Sequence, residues 1–246
     1  MPAPAVVAEA QVATSVLAGM DDAKIKAYIA LVYADLFGRA VDPTGLATWS
    51  AALRSGTPPR AVADSITGSD EFRTGLITGA YEDYLGRAPE RAGSTFWLQR
   101  MREGMTVQQL EAGFLGSDEY FLSVADGVDQ YFIRSLYRDV LGRSPGDEEF
   151  YYWLSRLWGV RVGNGLDTVR PRPPAPPKMS REQIALAFLL STERLAVDVD
   201  ADYQWLLGRR LDASGRTTWV TAIQSGVRYE SVIGSIISSQ EYMSYL

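Results

Sequence analysis

Residues 36–49, Leu-Phe-Gly-Arg-Ala-Val-Asp-Pro-Thr-Gly-Leu-Ala-Thr-Trp, gather the residue types of a ligand-binding or catalytic loop: a guanidinium at Arg39, a carboxylate at Asp42, glycines at 38 and 45 and an indole at Trp49. A guanidinium grips carboxylates and phosphates in a bidentate manner, and glycine lets backbone approach a ligand closely. The spacing is not that of a nucleotide loop. A second candidate, Asp198 to Asp202, reads Asp-Val-Asp-Ala-Asp and imitates the start of a calcium loop. Such a loop needs Gly at its sixth position and Glu at its twelfth; Tyr203 and Arg209 stand there instead. The acids fit a helix entry better, where the positive end of the dipole favours them, and no metal is expected.

Composition removes much of the remaining chemistry. The 246 residues are 46% hydrophobic and 22% charged, which is the balance of a globular chain with a core. A formal charge of −6 gives no basic field for nucleic acid. Cys and His are both absent, and with them go thiol and imidazole nucleophiles, their metal sites, disulfides and the usual general base near neutrality. Asp and Glu are plentiful, yet nothing in the sequence selects two of them as the flanking carboxylates of a glycosidase. The first twenty residues are rich in Ala and Val but lack a basic start, and Glu9 and Gln11 interrupt them. They make a poor signal peptide and no membrane span. Val6, Ala10, Ala13 and Leu17 suit a weakly amphipathic arm.

The opening stretch recurs. Tyr33 with Gly38-Arg39, Tyr81 with Gly86-Arg87, Tyr137 with Gly142-Arg143 and Tyr203 with Gly208-Arg209 share one spacing, and each Arg is followed ten residues later by a Trp, at 49, 97, 153 and 219. Ser-x-Glu-aromatic then appears at Ser69, Ser117 and Ser239, twenty residues past the Trp, and the repeated Glu falls at 71, 119, 193 and 241. A period near fifty residues indicates stacked supersecondary units.

One unit can be built from its residues. Ile25, Ile29, Val32, Tyr33 and Leu36 lie on one helical face. Gly38 can take the left-handed conformation that closes this helix, and Arg39 follows where freed carbonyls favour a cation. Asp42 and Pro43 read as N-cap and first position of a second helix, which carries Leu46, Trp49 and Leu53 and stops near Gly56. A third helix follows through Pro59 to Ile66, and Ser69 caps the next. Gly38, Arg39, Asp42, Trp49, Gly86, Arg87, Trp97, Gly142, Arg143, Trp153, Gly208, Arg209, Asp212 and Trp219 are therefore expected to be structural, with the Trp side chains buried between helices. The repeated Arg is expected to pair with the repeated Glu.

The copies also depart from one another. Copy two has Glu90 at the cap position, copy three has Gly146 there and Glu149 where the others have Gly, and copy four has Trp205 where Asp35, Asp83 and Asp139 stand. Copy three further carries about 18 extra residues, because Trp153 to Ser191 spans 38 positions against 20 elsewhere. This insertion, about 158–179, holds a Gly-Asn-Gly turn and the run Pro-Arg-Pro-Pro-Ala-Pro-Pro, an extended polyproline II segment. Trp158, Arg161, Arg170, Arg172 and Lys178 form its basic, aromatic-rooted surface, a candidate docking element for a protein partner, an acidic glycan or a neighbouring subunit. Phe150 and Trp153 share a helical face and are expected in the core.

The pattern Tyr-x3-Leu-Gly-Arg, Asp-x2-Gly-Leu-x2-Trp and Ser-x-Glu-Phe, carried through residues 28–246, resembles the bacterial domain-of-unknown-function family 4214 and, more distantly, the helical linker polypeptides of phycobilisomes. The resemblance implies small helical modules, often in tandem, attached to secreted, surface-associated or glycan-handling proteins, and it brings no catalytic residues.

The expectation is an all-α protein: an arm over 1–24, repeats over 25–72, 73–120, 121–195 and 196–246, packed as one elongated or curved body or as two pairs divided at the Pro-rich insertion. It is expected to be no enzyme and to use no cofactor. The expected role is a structural or interaction module of a large extracellular assembly such as a cell-surface layer, secreted filament or virion, with protein neighbours as partners and further copies of itself or a glycan as the open options. The alternative is a glycan-binding module, which requires an open groove with aromatic faces beside polar groups.

Overall fold

A computed structural model describes residues 21–162 and 174–246, and every regular element among them is a helix. In chain order these are α1 (Asp22–Phe37), α2 (Pro43–Arg54), α3 (Pro59–Thr67), α4 (Asp70–Leu85), α5 (Arg91–Arg102), α6 (Val107–Leu115), α7 (Asp118–Ser123), α8 (Asp129–Leu141), α9 (Asp147–Trp158), α10 (Arg181–Leu189), α11 (Thr192–Leu207), α12 (Ala213–Gln224), α13 (Tyr229–Ile237) and α14 (Gln240–Met243). The N-terminal arm through residue 20, and Arg170 and Arg172 of the insertion, lie outside the described residues.

Each repeat shows the same local logic. The long helices α1 and α8 end on Gly38 and Gly142 in the left-handed region, and Gly86 and Gly208 occupy the matching positions, with φ of 61°, 65°, 63° and 62°. A side chain would be strained there, which is why glycine recurs. Asp42 caps α2 by accepting from the Thr44 and Gly45 amides at 3.0 and 2.9 Å. Asp212 does the same for α12 through Gly215 at 2.8 Å. Ser69, Ser117, Ser191 and Ser239 each accept the backbone N–H three residues on, at 3.1 to 3.2 Å. The Ser-x-Glu signature thus opens helices α4, α7, α11 and α14.

The helices group into two compact units, residues 1–75 with 196–246 and residues 76–195. The division falls inside α4 and α11 rather than at the Pro-rich insertion, so the first repeat pairs with the fourth and the second with the third. In the first unit α3 packs on α13; in the second α6 packs on α10. The core of the first includes Tyr28, Ile29, Val32, Val62, Ile66, Val232, Ile233 and Tyr242, and that of the second Leu110, Leu115, Tyr120, Phe132, Ile133, Ile184 and Leu189, all essentially inaccessible to solvent.

The two units match internally. In the second, Tyr120 of α7 donates to Asp139 Oδ2 of α8 at 2.6 Å, and its ring meets Phe132 edge-on at 6.4 Å. In the first, Tyr242 of α14 donates to Asp35 Oδ2 of α1 at 2.5 Å, and its ring meets Tyr28 edge-on at 6.4 Å. A loop at residues 124–128 joins α7 to α8, whereas α14 and α1 stand at opposite ends of the sequence.

Candidate functional site

The conserved-looking chemistry of residues 36–49 resolves into a four-residue joint. Arg39 leaves the glycine turn and donates from Nε and Nη2 to both carboxylate oxygens of Glu71, at 2.7 and 2.8 Å. Its guanidinium carbon lies 5.1 Å from the centre of the Tyr33 ring, and the Tyr33 hydroxyl accepts from the Trp49 indole at 3.0 Å. The Tyr comes from one helix, the Arg from the turn, the Trp from the second helix and the Glu from the helix that opens the next unit. One hydrogen-bonded cluster therefore fixes three elements in relation to each other.

The other copies repeat it. Arg87 grips Glu119 at 2.6 and 2.9 Å over the ring of Tyr81. Arg143 grips Glu193 at 2.7 and 3.0 Å over Tyr137. Arg209 grips Glu241 over Tyr203, whose hydroxyl accepts from Trp219 at 3.0 Å. Trp97 and Trp153 lie near the Tyr81 and Tyr137 hydroxyls. The Arg and Glu are 32 residues apart in three copies and 50 in the third, so the insertion is absorbed without disturbing the joint. These guanidiniums hold Glu119, Glu193 and Glu241 below the usual carboxylate range.

Departures from the pattern are compensated locally. Glu90 makes no cap bond to its own helix; it accepts from Arg87 at 2.7 Å and from the Tyr81 hydroxyl at 3.3 Å. Gly146 has no capping side chain either, and Glu149 reaches back to its amide at 2.9 Å while holding Arg143 at 2.8 and 2.9 Å. Arg143 is thereby clamped between two glutamates. Its hydrogen bonds, with that of Gly146, bring the Glu149 carboxyl down to about 2.

The indoles are less buried than their role as anchors predicts. Trp219 is buried, but Trp49, Trp97 and Trp153 are half-buried. Phe150 is half-buried too, beneath the Arg134 guanidinium 4.6 Å from its centre. In copies three and four this leaves matching clefts beside the joint. One, of about 490 Å³, is lined by Arg143, Glu148, Glu149, Tyr152, Trp153 and Glu193 among others; the second, of about 580 Å³, by Tyr203, Arg209, Trp219, Ser239, Gln240 and Glu241 among others. In copy two Gly113 occupies the equivalent of Ala187 and Ser235, and the Trp97 ring lies 2.6 Å from where its Cβ would be. Tyr152 is 55% exposed and stands edge-on to Trp153 at 5.0 Å.

The other candidates fare differently. Asp198, Asp200 and Asp202 lie within α11 and not at its entry. Asp200 accepts from the Leu211 amide at 2.8 Å and from Gln204 at 2.9 Å, and Asp202 is buried, accepting from the Tyr229 hydroxyl at 2.5 Å. Burial raises the Asp202 carboxyl from 3.8 to about 7. The sequence reading missed this because three acids in a row of alternate positions suggest a solvated cluster, whereas on a helix they point in different directions. No cluster of three metal-ligating side chains occurs among the described residues. At the insertion, Trp158 donates to Asp129 at 2.7 Å, and the two ends of the inserted segment meet where the Met179 amide donates to the Arg156 carbonyl at 2.8 Å. Arg161 also has a partner, and Lys178 is exposed.

The family model of a domain of unknown function, DUF4214, matches residues 13–76. These residues are similar to the DUF4214 family. The match takes in α1 to α3 and the start of α4, so it holds all four members of the first joint, Tyr33, Arg39, Trp49 and Glu71. The DUF4214 match is shorter than the pattern, which runs through all four copies. No curated protein and no solved structure matches the chain. Among the described residues no helix is long and apolar enough to cross a membrane.

Proposed function

We propose that this chain is a non-enzymatic structural and interaction module of a large extracellular assembly: a cell-surface layer, a secreted filament or a virion. The observation that carries the reading is the fourfold joint. Arg39 and Trp49, which most resembled active-site chemistry, are engaged in holding helices together, and the Arg–Glu grip recurs in each copy. A catalytic group has no need of four equivalent positions; a helix corner in a tandem array needs one per repeat. The resemblance to a family of surface-associated modules supports the compartment. Mass spectrometry of purified envelopes, secreted fractions and virions, after chemical crosslinking, tests it. Recovery bound to protein neighbours in one of these fractions is expected, and recovery solely as a free cytosolic monomer would sink the reading.

A second reading, glycan binding, is favoured by one specific feature, the cleft of copy three. Tyr152 and Trp153 offer aromatic faces for the apolar side of a sugar, and the Glu148 carboxylate beside them can accept from hydroxyls. Quenching or enhancement of tryptophan fluorescence by a panel of oligosaccharides, lost in Tyr152→Ala, supports it; no response to any member of the panel counts against it.

A further inference from the structure

The most informative feature outside the joints is the way the first unit is closed. Its two halves come from residues 21–75 and 196–246, and one cluster of contacts between them matches the second unit position for position. Tyr242, Asp35 and Tyr28 stand where Tyr120, Asp139 and Phe132 stand. The α3–α13 contact matches the α10–α6 contact. In the second unit residues 124–128 carry the chain directly between the halves, with Asp126 and Gly127 both at positive φ, 51° and 68°. In the first unit nothing short plays that part.

The seam that holds the first unit is noncovalent and specific. Arg60 of α3 donates to Ser235 Oγ at 2.5 Å and to the Ser231 carbonyl at 3.1 Å, both on α13. Gly234 brings α13 close enough that a Cβ there would lie 2.6 Å from Asp64 Oδ1. Around these polar contacts Val62, Ala63, Ile66, Val232, Ile233 and Ile236 are almost fully buried. The interface is apolar at its centre, with Arg60 of α3 directed at Ser231 and Ser235 of α13.

We propose that this seam is also an intermolecular surface, and that its partner is a second copy of this chain: the first repeat of one copy docks on the fourth repeat of another. Every contact of the seam is the same whether α13 belongs to the same chain or to a neighbour, so exchange changes no contact energy. Local concentration favours closure within one chain; it is on the order of millimolar for a short flexible tether, and here the tether is the folded segment 76–195. At total concentrations approaching that value, or when chains are crowded in an assembly, docking between copies competes. Reciprocal exchange gives a closed dimer, and sequential exchange gives a head-to-tail string.

Because the chain contains no cysteine, the test can be read covalently. Asp64→Cys and Gly234→Cys are made as separate full-length proteins, since a Cβ at 234 would lie 3.6 Å from the Asp64 Cγ, close to where a cysteine sulfur at 64 would sit. They are mixed in urea, refolded together near millimolar concentration and about a thousandfold below it, and oxidised. A reducible dimer in the mixture at high concentration, exceeding either protein alone, is expected. The double variant Asp64→Cys/Gly234→Cys serves as the control that the pair can bridge. Light scattering of unmodified protein refolded under both conditions provides a readout free of substitutions, and species larger than the monomer are expected at the higher concentration. A double variant that closes on itself, with no covalent dimer in the mixture, overturns the proposal; so does unmodified protein that stays monomeric at both concentrations. Such failure leaves the assembly reading standing, because other neighbours can hold a monomer, and that reading is decided by the in situ crosslinking.

Discussion

Asp202→Asn should change how stability depends on pH while leaving the fold intact. Asp202 sits on the inner face of α11 with one oxygen accepting from Tyr229 and the other, Oδ2, buried without a partner. Burial, reinforced by the nearby charge of Asp198 and opposed by the Tyr229 hydrogen bond, raises its carboxyl from 3.8 to about 7. A group whose folded value is raised contributes its full stability below the unfolded value and loses it as the pH rises through the folded one. For this shift the loss is on the order of 4 kcal/mol between the acid and alkaline ends of the window. Asn keeps the shape and the acceptor for Tyr229 but cannot ionise. Urea unfolding of both proteins across that window should therefore give similar stabilities at the acid end and an advantage for Asp202→Asn that grows through about pH 7. The difference between the two curves isolates this group from the other carboxylates. Parallel curves, with a constant offset from acid to alkali, would refute the reasoning.

Other outcomes follow from the joints and the seam. Gly113→Ala places a Cβ 2.6 Å from the Trp97 ring; the overpacking, typically about 1–3 kcal/mol, should outweigh the helix-propensity gain of about 1 kcal/mol, and an increase in stability measured by urea unfolding would contradict this. Tyr120→Phe and Tyr242→Phe remove equivalent bonds to Asp139 and Asp35, and each should cost about 1.5–3 kcal/mol in thermal or urea unfolding, with the two losses similar. Glu149, held at about 2 by Arg143 and the Gly146 amide, contributes stability that is present above the ordinary Glu value and lost as pH falls through the folded one. Acid titration should thus cost the wild type more stability than Glu149→Gln as the pH falls from the ordinary Glu range towards about 2, and a steeper acid loss in the variant would contradict the assignment.

Much of this molecule is legible in the sequence because its determinants are local. The glycine turns, the Asp and Ser caps and the three-helix rhythm depend on residues within a few positions of one another, and Gly38, Asp42 and Ser69 behave as their chemistry dictates. The Arg–Glu pairing could be inferred at a distance of 32 residues only because four copies carried both partners. What stayed hidden is what depends on partner choice between distant segments. Apolar faces on α3, α6, α10 and α13 are interchangeable as patterns, so nothing in the chain announces that the first repeat packs on the fourth. Asp202 was misplaced for a related reason: its burial is imposed by Tyr229 and α13, which lie beyond any local window. Trp49, Trp97 and Trp153 read as core residues from their type, yet each is half-buried, whereas Trp219 at the matching position is buried.

Residues 36–49, which have the look of an active site, form a repeated helix joint. Thermal unfolding of Arg39→Ala, Arg87→Ala, Arg143→Ala and Arg209→Ala, each in the full chain, tests it most directly. All four should melt below the wild type, Arg143→Ala furthest, since it alone releases both Glu149 and Glu193 from bidentate contact. Four variants that melt with the wild type would contradict it.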